Sequence, residues 1–174
     1  MEVLKHMNKM KLWLIGIATA LLLSVPAVGY TATVDKVGSA VYGIPASGLN
    51  KTFVMSNTVD ISAATNGDVY QVLPVGTGSC VLNVFTKIVT ANDAATTSTV
   101  DIGDGSDANG YDDDVNMKGT AGTFTKGMGS STDQYVTDVG KLYTAGDTID
   151  LTFTVTGTNT TGSVKVMALC VDLN

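Results

Sequence analysis

Residues 147–173 read DTIDLTFTVTGTNTTGSVKVMALCVDL, and the way they are read decides the fold. In the first ten, Ile149, Leu151, Phe153 and Val155 alternate with Asp150, Thr152, Thr154 and Thr156. Successive side chains of a strand point to opposite faces, so this alternation marks a half-buried strand. The six residues GTNTTG at 157–162 make a turn, and 163–173 return as a second strand. Two such runs joined by a short Gly-containing turn predict an antiparallel hairpin.

Working back from it, strand follows strand. Residues 51–62 give two short runs broken at Ser56-Asn57, 68–75 (DVYQVLPV) give a strand ending near Pro74, and 95–102 another. The long run 80–90 (CVLNVFTKIVT) is apolar on both sides, with Cys80, Leu82, Val84 and Ile88 on one and Val81, Phe85 and Val89 on the other. A strand of that kind is central or lies at an assembly contact. Residues 119–124 and 134–139 are weaker strand candidates, and 111–117 have room for one helical turn. Seven to nine short strands with Gly-rich turns predict an all-β chain, an antiparallel β-sandwich of jelly-roll-like type.

Composition agrees. Of 174 residues 44% are hydrophobic and 15% charged, which excludes a disordered tail and a charged coiled coil. All ten basic residues are Lys; the single Glu (Glu2) and single His (His6) lie near the start. Beyond residue 29, seven Lys face fifteen Asp. A nucleic-acid surface needs clustered cations to displace phosphate counterions, so no nucleic-acid partner is expected.

Residues 7–29 (MNKMKLWLIGIATALLLSVPAVG) have a basic start, an apolar stretch and a small-residue end. That is the anatomy of a secretory signal peptide, with cleavage after Ala27 or Gly29. The alternatives are a retained hydrophobic helix anchoring the chain in a membrane, the only membrane contact expected, or a buried helix. The domain plan is therefore 1–29 as signal peptide or anchor, 30–50 as an extended arm or first edge strand, and 51–174 as the sandwich. Export would place the two cysteines, Cys80 and Cys170, in an oxidising compartment. A bridge between them would close a loop of about ninety residues and stabilise by about 4–5 kcal/mol on the chain-entropy model. The alternative is two buried thiols.

The densest acid, IGDGSDANGYDDD at 102–114, is read as a surface connection whose Asp, Asn and Gly set turn geometry. The competing reading is an irregular calcium site, since calcium takes six to eight oxygens. Asp101, Asp104, Asp107, Asn109, Asp112, Asp113 and Asp114 would supply them; the standard twelve-residue loop does not fit, with Gly105 where its first Asp should stand. No other cofactor is expected. Catalysis is not expected either: successive Asp on one loop are not a separated acid–base pair in a cleft, and the chain beyond residue 29 has no His, Glu or Arg. Tyr30, Tyr42, Tyr70, Tyr111, Tyr135 and Tyr143 do not cluster at strand spacing and read as packing residues.

The phrases VLNVFTKIVTA (81–91), TVDIGDGSDANGYDDDVNM (99–117), LYTAGDTIDLTFTV (142–155) and TTGSVKVMALCVDL (160–173) resemble small β-rich structural proteins of bacteriophage virions. In those proteins a GDG-D-A-DG segment follows a strand, and a Y-A-GDTI strand pairs with a final TGKV strand. The resemblance spans about residues 68–174. It implies a head-surface, decoration or tail-associated component without enzymatic activity, and it brings over no catalytic residue. The leader is outside that pattern; a virion with an internal membrane, or a host-encoded surface subunit, would reconcile the two.

Two functions are thus expected. One is a non-enzymatic structural subunit, virion-borne or exported, that packs through its strands with copies of itself or with other structural proteins. The other is a secreted or cell-surface module binding calcium or glycan and stabilised by a disulfide.

Overall fold

A computed structural model of the chain describes residues 31–39, 41–43, 51–126, 135 and 139–173. The leader, and with it the signal peptide or anchor, lies outside the described residues. The strands are β1 (Thr33–Asp35), β2 (Val41–Gly43), β3 (Lys51–Asp60), β4 (Val69–Val75), β5 (Ser79–Thr90), β6 (Thr97–Gly103), β7 (Asp112–Asn116), β8 (Phe124–Lys126), β9 (Lys141–Leu142), β10 (Asp147–Thr156) and β11 (Ser163–Asp172). They form two sheets. Sheet A has the order β1-β4-β10-β6-β7; sheet B has β2-β3-β11-β5-β8, with β9 paired to β5 as well. Pairing is antiparallel except where β1 runs parallel to β4.

The expected hairpin does not form. β10 bonds to β4 and β6, whereas β11 bonds to β3 and β5, so the chain crosses from one sheet to the other between them. The reason lies in the two apolar rows. Ile149, Leu151, Phe153 and Val155 face inward from sheet A, and Val164, Val166, Ala168 and Cys170 face inward from sheet B; all are buried. Side by side they would share one face with nothing above it, whereas in facing sheets, which pack about 10 Å apart, each row covers the other. Residues 157–162 make the crossing. Gly157 and Gly162 take φ of 94° and 145°, and a Cβ at Gly162 would lie 2.9 Å from Ile61 Cγ1. Asp93 pins the crossing by accepting from the Thr160 and Thr161 amides (2.7 and 3.0 Å) and from Thr160 Oγ1 (2.7 Å). These bonds, the Thr160 amide foremost, hold its carboxyl well below the usual range.

Two further expectations are corrected. β3 is continuous through Ser56-Asn57, because Asn57 faces inward and its Nδ2 donates to the carbonyls of Lys36 (2.8 Å) and Val72 (3.0 Å). Residues 111–117 make no helical turn; β7 pairs antiparallel with β6. Part of the arm is spoken for within the chain, β1 on the edge of sheet A and β2 on the edge of sheet B. The core fills the space between the sheets, with Tyr70 and Phe153 edge to face at 4.8 Å.

Candidate functional site

The acidic run divides into an inner and an outer part. β6 ends at Gly103, and residues 104–111 fold back over it so closely that a Cβ there would sit 1.9 Å from the Asp107 carbonyl oxygen. This turn drives Asp104 into the interior. Its Oδ1 accepts from the amides of Ser106 (2.8 Å) and Asp107 (3.1 Å) and from the Tyr135 hydroxyl (3.2 Å); its Oδ2 accepts from Tyr143 OH (2.7 Å) and pairs with Lys141 Nζ. Burial alone would raise this carboxyl, but the bonds from Lys141, Tyr143 and Ser106 outweigh it and leave it below its ordinary value. Burial likewise works against the Lys141 charge, and Asp104 and Tyr135 more than restore it.

Tyrosines close this group. Lys141 Nζ donates to Tyr135 OH (2.8 Å) and stands 4.2 Å from the Tyr135 ring centre and 5.0 Å from that of Tyr143. Tyr111 OH and Tyr143 OH are 3.0 Å apart, and burial pushes both phenols far up. The Tyr135 ring packs against Gly110, where a Cβ would be 2.2 Å from a ring carbon. Sequence reasoning treated these tyrosines as unclustered; the fold gathers three of them, from positions 32 residues apart, around one ion pair. The polar side-chain atoms of the group bond to one another, so its chemistry is that of a clamp between the β6–β7 turn and Tyr135, Lys141 and Tyr143.

The outer part arises from a β-bulge. Val100 opposes Val115 and Ile102 opposes Asp112, so Asp113 and Asp114 together face Asp101. Asp114 takes φ of 54°, and its amide donates to Asp101 Oδ1 (3.0 Å). Oxygens of Asp101, Asp113 and Asp114 lie within 4.8 Å of one another on the outside of sheet A. Desolvation, and then repulsion from Asp113 and Asp114, raises the Asp101 carboxyl. The calcium set read from sequence is therefore not brought together as one. Asp104 is consumed in the clamp, the Asp107 carbonyl is bonded within the turn, Asn109 stays in that turn, and Asp112 begins β7 opposite Ile102.

The expected disulfide is absent: Cys80 and Cys170 are free thiols. Cys170 pairs in register with Val81 and faces the core, while Cys80 pairs with Val171 and faces out. The sheet stands between the two sulfurs, which no side-chain rotation overcomes. Burial raises the Cys170 thiol to about 12.

The outer face of sheet B carries side chains in cross-strand rows. From β3 through β11 to β5 these are Thr58, Lys165 and Lys87; Ser56, Met167 and Phe85; Val54, Leu169 and Asn83; and Thr52, Val171 and Cys80. Phe124 of β8 pairs with Lys87 and stacks on Phe85 at 5.6 Å. Phe124 is 57% exposed and Val54 46%. The outside of sheet A differs: beside the acidic cluster it shows Thr152, Thr154 and Thr156 of β10, the latter two against Thr99 and Thr97 of β6.

No family model matches the chain, and no curated protein matches it. Among solved structures it is similar to a chain of the cyanophage Pam1 capsid asymmetric unit, at 21% identity and a TM-score of 0.51, covering 86% of this chain and 100% of that one. It is similar also to a chain of the acidic stable capsid of Helicobacter pylori bacteriophage KHP30 (14%, TM-score 0.50, 78% and 94% covered) and to one of the Ralstonia phage GP4 capsid (13%, 0.50, 80% and 97%). At these identities the likeness is one of fold, and the fold is one found in phage capsids. The resemblance to phage virion structural proteins is met at that level.

Proposed function

We propose that this chain is a non-catalytic structural subunit of a bacteriophage virion, a head-surface component that packs by its sheet faces against copies of itself or other shell proteins. One observation carries the reading: the likeness covers nearly all of each capsid chain, so those chains are single domains of about this size. The strand order supports a jelly roll. Leaving aside β1, β2 and β9, the sheets run β3-β11-β5-β8 and β4-β10-β6-β7, eight strands in two layers, an architecture that recurs in viral capsids. The partly apolar outside of sheet B is a surface that a neighbour would cover. Quantitative mass spectrometry of purified particles of the phage encoding this chain tests the proposal. Stoichiometric copies in the particle are expected; absence from particles, with the chain found in the host envelope or medium, would sink it.

A second reading, a cation-binding surface module, is favoured by the convergence of Asp101, Asp113 and Asp114. It expects millimolar calcium to raise the melting temperature, and Asp113→Asn to abolish the rise. A melting curve indifferent to calcium disposes of it.

A further inference from the structure

The two broad faces carry unsatisfied charge of opposite sign. On the outside of sheet B, Lys165 and Lys87 stand directly opposite each other across the β11–β5 pair. Like charges so placed destabilise a sheet. Neither is ion-paired among the described residues, where the ion pair that does form joins Lys141 to Asp104. Asp60, one row further on, already accepts the Ser62 amide. Beside the lysines lie Phe124 and Phe85, stacked and partly exposed, and then Met167 and Leu169. On the outside of sheet A, the β7 bulge crowds Asp101, Asp113 and Asp114 together at the rim, where desolvation and then repulsion raise the Asp101 carboxyl. Next to it Thr99 and Thr154 present methyl as well as hydroxyl groups. Each face holds a local excess that the other would relieve.

We propose that copies of this chain associate head to tail, the Asp101–Asp113–Asp114 rim of one copy seated on the Lys87–Lys165 pair of the next, with Phe85 and Phe124 covered at the same contact. The proposal rests on the reading as an assembly subunit and names its partner and interface. A two-fold contact of sheet B on sheet B would bring four ammonium groups together, and one of rim on rim six carboxylates, so the self-complementary arrangements are disfavoured. The heterologous contact instead pairs opposite charges while removing apolar surface from water. It either closes as a ring or continues along a lattice.

The test is a charge swap in the full-length chain, read by analytical ultracentrifugation, with circular dichroism to establish folding. One variant carries Lys87→Glu and Lys165→Glu, the other Asp113→Lys and Asp114→Lys. Each alone is expected to lose the assembly that the unmodified chain forms, because both its faces then have one sign. Mixed, the two variants are expected to assemble again in alternation, and added salt is expected to weaken every such assembly. The inference is overturned if either folded variant assembles as the unmodified chain does, if the mixture of folded variants stays dissociated, or if the unmodified chain is monomeric throughout. Recovery of the charge variants on phage particles at unmodified copy number would leave the virion role standing and remove this contact alone.

Discussion

Asp104 and Asp150 are neighbours across the β6–β10 pair, Asp150 opposing Gly103, yet their surroundings push them in opposite directions. Asp104 is held low by Lys141 and its hydrogen bonds, against burial; Asp150, buried with Thr148 Oγ1 donating to it (2.6 Å), is raised by desolvation and by Asp147 and Asp104 to about 6. The signs follow. The Asp104 contribution is present above the unfolded value of 3.8 and is lost as pH falls through the lower folded value. Asp150 acts the other way: the fold favours its protonated form, so stability is highest below 3.8 and declines as pH rises to about 6. Asp150→Asn, which keeps the bond from Thr148, is expected to raise unfolding free energy at neutral pH by up to about 3 kcal/mol and to change little near pH 3. Urea titrations across that range check it; an equal gain at both ends would refute the assignment. For the clamp, Lys141→Met strands a buried carboxylate and is expected to cost about 3–5 kcal/mol. Adding Asp104→Asn to Lys141→Met is expected to recover part of that loss, the non-additivity measuring the pair in a double-mutant cycle.

Among the elements, β7 was the hardest to read and is the most informative. Tyr111 and Val115, four apart and both buried, mimic one face of a helix. Only Val115 belongs to the strand; Tyr111 ends the turn that precedes it, its amide bonded to the Ile102 carbonyl, so the helical spacing arises where a turn meets a bulged strand and no helix is present. The acid at the bulge is there partly for its backbone: Asp tolerates the left-handed conformation at Asp114, and a β-branched residue does not. Asp114→Val is expected to lower stability by about 1–2 kcal/mol, while Asp114→Gly stays within about 0.5 kcal/mol. If the two variants melt alike, the φ of 54° is not what the residue contributes. The edges posed a similar difficulty. β8 and β9 have three and two residues, too few for a period to register, and they exist because β5 offers them an open edge.

At the scale of the whole molecule, strands at 69–75, 79–90, 97–103, 147–156 and 163–172 were legible, and along 147–156 the buried face as well, because a strand's two faces are a local property of the chain. Along 79–90 the bulge opposite Leu169–Cys170 puts Val81 on the same buried face as Val84 and Ile88, against the plain alternation. The turns were legible too, from Gly, Asn and Asp. The clamp was half visible: Asp104 stood out as an acid among turn residues, but nothing nearby in the chain announced Lys141 or the three tyrosines. The failed hairpin shows where the limit lies. Its alternation is the same whether β10 and β11 lie side by side or face each other, since periodicity records that a face is buried and not what buries it. By itself, then, the sequence determined that this is an all-β chain, where its longer strands run and which side of β10 is apolar. Only the tertiary structure decided the sheet to which each strand belongs, the separation of Cys80 from Cys170, the burial of Asp104 and the opposite charges of the two outer faces. Those depend on pairings between residues distant in the chain, which are chosen by what each apolar row finds opposite it in the folded whole.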